Sequence, residues 1–136
     1  MKDYSNYQHS DLTKAIINAA YTVHDTLGFG FLESVYEKAL KQELLSRGFG
    51  VISQQEIEVY YQGNSVGKFR TDLIVNNRVI IELKATTQIH PAHEIQLVNY
   101  LRATKIEVGL LINFGEELKF KRRVFSNNKK KNLNPI

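Results

Sequence analysis

Between Arg70 and Ala85 the chain carries an aspartate, Asp72, and then a Glu-x-Lys triplet, Glu82-Leu83-Lys84. Two carboxylates converging on one hard cation, beside a lysine that can hold or deprotonate a water, are the groups that metal-dependent phosphodiester cleavage needs. The stretch Asn77 to Ala85 reads Asn-Arg-Val-Ile-Ile-Glu-Leu-Lys-Ala, and its valine and isoleucine content, bounded by Asn76-Asn77, predicts a strand. Side chains alternate on a strand, so Val79, Ile81, Leu83 and Ala85 form an apolar face and Ile80, Glu82 and Lys84 share the other. On an exposed sheet the same triplet is a solvated ion pair of little energetic consequence, and short motifs of this kind also arise by chance.

The elements around the triplet bear on that choice. Val66 to Val75 reads as a preceding strand that carries Asp72. A two-residue loop at Asn76-Asn77 would pair Val75 with Arg78 and put Asp72 on the wrong face. A three-residue loop, Asn76-Asn77-Arg78, pairs Val75 with Val79 and Asp72 with Glu82. A shared metal site therefore predicts a three-residue turn or a bulge here, with Asn77 suited to the left-handed region.

With 136 residues the chain fits one domain with a real core. No apolar run is long enough to span a bilayer, and Met-Lys-Asp-Tyr-Ser-Asn-Tyr lacks the apolar stretch of a signal peptide, so a cytoplasmic protein is expected. The absence of cysteine excludes disulfides and thiolate metal sites. A formal charge of +4 is compatible with a polyanionic partner. Much of the excess lies late, in Lys119, Lys121, Arg122, Arg123 and Lys129 to Lys131, either as a solvated tail or as a source of sequence-independent phosphate attraction.

Residues 1–9 read as an irregular lead-in, 10–125 as the folded domain and 126–136 as a basic, flexible tail. Ser10 is the expected N-cap of a first helix whose apolar stripe is Leu12, Ile16, Ala19, Ala20, Val23 and Leu27, closed by Gly28. A second helix is expected from Phe31 to Arg47, stopped by Gly48. Its apolar arc of Leu32, Val35, Tyr36, Ala39, Leu40 and Leu44 encloses Glu33, and a carboxylate on a buried face needs a partner or a metal. Glu33 also suits the first turn simply through the helix dipole. Glu43 falls in the same arc, nearer the helix end, and reads as structural.

Val51 to Tyr61 alternates as a half-buried strand, with Gly63-Asn64 as a hairpin signal. Pro91 suits the first turn of a third helix reaching Thr104, packed through Ile95, Leu97, Val98 and Leu101. Gln96 and Tyr100 lie one turn apart on it, as a polar edge or as part of a site. His90 and His93 fit no zinc pattern and read as surface or supporting residues, and His24 as a helix-face histidine. Val108 to Phe114 suits a strand buried on both faces, and Leu118 to Phe125 an exposed edge strand guarded by lysines.

The order helix, helix, strand, strand, strand, helix, strand, strand, with Glu33, Asp72, Glu82-x-Lys84 and Gln96-x-x-x-Tyr100 on successive elements, resembles the PD-(D/E)XK nuclease superfamily across residues 10–125. The Gln-x-x-x-Tyr helix is similar to the RecB and lambda-exonuclease branch. Gly30-Phe-Leu-Glu33-Ser-Val-Tyr36 matches the motif that names the GxxExxY family of small bacterial proteins. The resemblance implies an α/β core with a central mixed β-sheet flanked by helices. It also implies a Mg²⁺- or Mn²⁺-dependent nuclease acting on nucleic acid, most readily DNA.

In that family pattern Asp72, Glu82, the Leu83 carbonyl and Glu33 hold the metal, and Lys84 orients the attacking water. Gln96 and Tyr100 position the phosphate or order the metal site, while Gly30 and Tyr36 shape the approach to the second helix. Thr71 stands where the superfamily name has proline. The alternative is a non-catalytic nucleic-acid- or protein-binding module that retains the fold. With no separate substrate-binding domain evident, a homo-oligomer or a protein partner is expected to help grip the substrate.

Overall fold

The computed structural model describes residues 8–131. The expected lead-in therefore lies outside the described residues as far as Tyr7, and the expected tail from Asn132 onward. Among these residues three α-helices and five strands follow in the order α1 (Ser10–Leu27), α2 (Glu33–Ser46), β1 (Val51–Tyr61), β2 (Asn64–Val75), β3 (Val79–Lys84), α3 (Pro91–Ala103), β4 (Val108–Phe114) and β5 (Leu118–Val124), with a short 3-10 turn at Asn127–Lys129.

The strands form one sheet in the order β1-β2-β3-β4-β5. Only the β3–β4 pair is parallel, and α3 makes the crossover between them, so the sheet is mixed. Strand alternation sorts the core into two layers. Val79, Ile81 and Leu83 of β3 pack with Leu110 and Ile112 of β4 against Ile16, Ala19 and Ala20 of α1 and Tyr36, Leu40 and Leu44 of α2. Ile80 and Leu111 point the other way, onto Leu97 and Leu101 of α3. The central strands β3 and β4 are thus covered on both faces, as near-continuous apolar runs require.

The connection from β2 to β3 is the three-residue turn that the metal-site pairing demanded. Val75 pairs with Val79 and Leu73 with Ile81, and the Arg78 amide donates to the Val75 carbonyl at 2.9 Å. Asn76 and Asn77 both take positive φ, 51° and 55°, which asparagine tolerates better than most residues. The β1–β2 turn falls one residue earlier than expected, at Gln62-Gly63, because Tyr61 already pairs with Asn64. Both turn residues have positive φ, the signature of a tight hairpin turn.

Several helix expectations need correction. The N-cap of α1 is His9, in the left-handed region, and Ser10 is the first helical residue. Helix α2 starts at Glu33, two residues later than expected, after an extended Leu32. Its first turn therefore overhangs the edge of the core. Leu32 is 76% exposed, and Glu33 is exposed instead of buried in an apolar arc. Ile95 is also exposed, since α3 meets the sheet through Leu97 and Leu101. Glu43 is structural: it accepts from Arg47 at 2.7 Å, and Arg47 ties α2 to Asn18 and Thr22 of α1. His90 and His93 cap α3, with the Ala92 amide donating to His90 Nδ1 and the His90 amide to His93 Nδ1.

The first residues of the expected tail are held in place. The Asn127 amide donates to Glu107 at 2.7 Å, and Lys130 Nζ donates to the carbonyls of Thr104 and Ile106. Backbone acceptors exposed after α3 give this basic segment partners that a count of charges cannot reveal. Among the described residues, no helix is long and apolar enough to cross a membrane.

Candidate active site

The triplet occupies the C-terminal end of β3, beside the parallel partner β4 and ahead of the crossover to α3. Ligand sites in α/β sheets favour this position, where strand ends and connecting loops leave a crevice. Glu82 and Lys84 face the α3 side together with Ile80. The β2–β3 ladder stops at Leu73 and Ile81, and Asp72 and Glu82 are the next facing pair. Each acid there takes over a backbone donor from the opposite strand. The Leu83 amide donates to Asp72 Oδ2 at 2.8 Å, and the Asp72 amide donates to Glu82 Oε1 at 3.2 Å.

Glu82 is only 6% exposed. Burial, reinforced by the neighbouring Asp72 charge, pushes its carboxyl up to about 9. Lys84 acts in the opposite direction without restoring the ordinary value. Glu33, though exposed as a residue, has its carboxyl raised by partial desolvation; Lys84 pulls it down and Asp72 pushes it up. The first residue of α2 thus belongs to the same electrostatic neighbourhood as the triplet. Its place in the first turn also satisfies the helix dipole.

Tyr100 is half-buried on the side that faces the acids. Its hydroxyl is pushed up to about 12, first by desolvation and then by the charges of Glu82 and Asp72. Its ring stacks on Phe69 of β2, with centroids 4.0 Å apart and planes 4° from parallel. Gln96 lies one turn earlier on α3 and is exposed, and among the described residues it forms no hydrogen bond with the acids. His93 is near enough to Lys84 for that ammonium to help hold its imidazole below the ordinary value, after desolvation.

Gly30 and Tyr36 set the loop before α2. Gly30 has φ 106°, a region that side chains disfavour. Tyr36 is fully buried, donates its hydroxyl to the Gly28 carbonyl at 2.7 Å and stacks on Phe114 at 4.6 Å. Thr71, at the superfamily's proline position, is fully buried.

Sequence reasoning missed Glu37 and Gln54. Glu37 lies one turn beyond Glu33 on α2, and the spacing of four residues was the available signal. Its carboxyl is raised by desolvation, by the Asp72 charge and by a hydrogen bond shared with Asp72, against the lowering effect of Gln54. Gln54 Nε2 donates to Glu37 Oε1 at 2.8 Å. Gln54 faces Asp72 across the β1–β2 pair and has φ 54° in mid-strand, where the regular ladder skips a step. Uncommon backbone conformations of this kind concentrate at functional sites.

The charge of Asp72 thus bears on the carboxyls of Glu82, Glu33 and Glu37, and Lys84 acts against it on Glu82 and Glu33. Oxygen donors in this excess suit a hard divalent cation. The chain belongs to the PD-(D/E)XK nuclease superfamily, whose family model matches residues 10–124. A solved protein described as SSO0001 is similar at 20% identity and a TM-score of 0.56, covering 90% of this chain and 62% of its own. The chain spans less than two thirds of that protein, and the likeness concerns the fold. No curated protein matches the sequence.

Proposed function

We propose that this chain is a metal-dependent nuclease that hydrolyses phosphodiester bonds of nucleic acid, DNA first among candidates, with Mg²⁺ or Mn²⁺ as cofactor. The observation that carries the proposal is the pairing of Asp72 with a buried, electrostatically frustrated Glu82 one residue from Lys84. Such a pair is costly for stability alone, because the buried Glu82 carboxyl and the Asp72 charge repel until a proton or a cation intervenes. Asp72, Glu82 and the Leu83 carbonyl would hold the cation, with Glu33 as direct or water-linked ligand and Glu37 added to the set. Among the described residues, no three of these acids stand within joint reach of one ion, so Glu33 or Glu37 would have to move toward Asp72 and Glu82 to complete the set. Bound there, a divalent cation supplies Lewis acidity and eases deprotonation of water.

The chain's own groups do the rest. Lys84 orients the attacking water and offsets charge that builds on the phosphorus oxygens. Tyr100 borders the carboxylates and positions the phosphate, with the exposed Gln96, one turn earlier on α3, as a second contact for it. Gly30 and Tyr36 fix the start of α2 and hence Glu33, which agrees with membership of the GxxExxY family. A cytoplasmic setting and help from a second copy or a protein partner complete the reading.

Calorimetric titration of Mg²⁺ and Mn²⁺ into the wild type and Asp72→Ala, run beside a cleavage assay over labelled DNA and RNA, tests the proposal. Binding that disappears in the variant, together with cutting, is the expected result. Absence of binding at millimolar metal would sink the catalytic reading and favour a binding module that keeps the fold.

A further inference from the structure

We propose that the hollow between the β1–β2 hairpin and α3 receives an unpaired nucleobase, so that the chain favours single-stranded or locally unpaired nucleic acid over a perfect duplex. The inference rests on the nuclease reading of the adjoining carboxylates and deepens it by naming the form of the substrate.

Strands β1 and β2 stay paired from Val51 and Val75 out to Tyr61 and Asn64, whereas β2 pairs with β3 only over Leu73 to Val75. The rest of the hairpin is a two-stranded arm leaning over α3. Its register slips between Val59 and Tyr60, and Gly67, opposite Val59, leaves open space where a side chain would stand. Beside this irregularity lies a cavity of about 380 Å³ lined by Val59, Tyr60, Phe69, Asn99, Tyr100, Arg102 and Ala103. That volume falls within the roughly 300–1,000 Å³ of ligand clefts.

Its chemistry matches a base better than a lipid or a peptide side chain. The parallel Phe69–Tyr100 pair offers a ring stack that a third flat ring can extend. Tyr60 also lines the cavity, its hydroxyl donating to Glu58 at 3.1 Å, and its ring is the second flat surface on which a seated base would stack. The amide of exposed Asn99 carries both a donor and an acceptor for a base edge. Arg102, anchored with its guanidinium 4.4 Å above the Phe125 ring, brings positive charge for the attached phosphate.

Position links this cavity to the chemistry. Tyr100 lines it and also feels the charges of Glu82 and Asp72, and Phe69 precedes Asp72 on the same strand by about 10 Å of chain. A nucleotide seated in the hollow leaves a neighbouring phosphate within reach of the carboxylates. Bases inside a duplex are stacked and paired, and reach a side hollow only by unpairing.

The test is fluorescence anisotropy of the full chain in EDTA, with fluorescein-labelled oligothymidylate and a blunt duplex of equal length. The single strand is expected to bind roughly tenfold tighter or more. Tyr60→Ala should weaken that binding by roughly five- to a hundredfold, the scale of losing one base–aromatic stack, and leave duplex binding within twofold. Tyr60→Phe should restore it. Equal affinity for the two forms overturns the inference, as does retention of single-strand affinity in both Tyr60→Ala and Asn99→Leu, with melting temperatures confirming that the variants fold. Because no metal is present, single-strand binding without cleavage in the companion assay would fault only the catalytic reading. Cleavage without strand preference would fault only this one.

Discussion

Asp72 and Glu82 each accept a backbone amide from the other's strand, Leu83 donating to Asp72 at 2.8 Å and Asp72 donating to Glu82 at 3.2 Å. The side chains thus replace ladder hydrogen bonds at the point where β2 and β3 part. No amide is orphaned by the opening, and the two acids are fixed by the sheet itself and not by flexible loops. Lys84, two residues beyond Glu82 on the same face, opposes the upward push on the Glu82 carboxyl.

Lys84 offers the sharpest separation of binding from chemistry. Lys84→Ala keeps all four carboxylates, so metal affinity should stay within a few-fold of wild type or rise. Turnover should fall by roughly 10²- to 10³-fold, the scale of removing one preorganised electrostatic group. Calorimetry and a cleavage time course on the same preparation check both halves. Loss of metal binding with unchanged turnover in metal-saturated protein would reverse the assignment.

Stability should decline with rising pH in the absence of metal. The Glu82 carboxyl is raised from 4.5 to about 9, so between those values the folded chain holds a proton that the unfolded chain has released. The stabilisation is full below pH 4.5 and is lost as pH climbs through about 9. Glu33 and Glu37 are raised too and act in the same sense. Melting curves in EDTA at several pH values should show a falling Tm that flattens in Glu82→Gln. Mg²⁺ should stabilise more at high pH, since it replaces the proton. A wild-type Tm that falls no more steeply than that of Glu82→Gln would contradict this.

Glu37 should matter for metal affinity although it belongs to none of the expected motifs. Asp72 helps raise its carboxyl, and it accepts a hydrogen bond from Gln54. Glu37→Ala is expected to weaken Mg²⁺ binding by roughly 10- to 100-fold, as loss of a supporting group around a metal does. Gln54→Ala should follow it with a smaller loss. A Glu37→Ala titration indistinguishable from wild type would remove it from the site.

How much of this was legible in the sequence depended on whether a periodicity carried it. The alternation of β3 located Glu82 and Lys84 on one face, and counting from Asn76 to Arg78 gave the Val75–Val79 register that aligns Asp72 with Glu82. Helix α2 was harder. Its stripe was real at Tyr36, Leu40 and Leu44, but extending it back to Leu32 made Glu33 look buried. A helical wheel has no information about where the partner surface ends. Gln54 gave no signal at all, because glutamine with positive φ in mid-strand is a tertiary effect that overrides local preference. The ordered Asn127–Lys130 segment was hidden for the related reason that, apart from the Glu107 carboxylate, the partners named for it are carbonyls, which every residue possesses.

The packing under α3 should be intolerant at Gly109. A Cβ there would stand 2.7 Å from Leu97 Cδ1 and 3.1 Å from Leu97 Cγ, and Leu97 is fully buried between α3 and the sheet. Gly109→Ala must therefore push Leu97, and with it α3, away from β4. Overpacking of this kind costs about 1–3 kcal/mol, or a Tm loss of several degrees. Because α3 carries Gln96 and Tyr100, substrate affinity should weaken while metal binding at Asp72 and Glu82 persists. Thermal melts, metal calorimetry and oligonucleotide anisotropy on the one variant check the three parts. A Gly109→Ala protein as stable as wild type would show that Leu97 relaxes in place and that α3 is less tightly keyed to the sheet than its contacts imply.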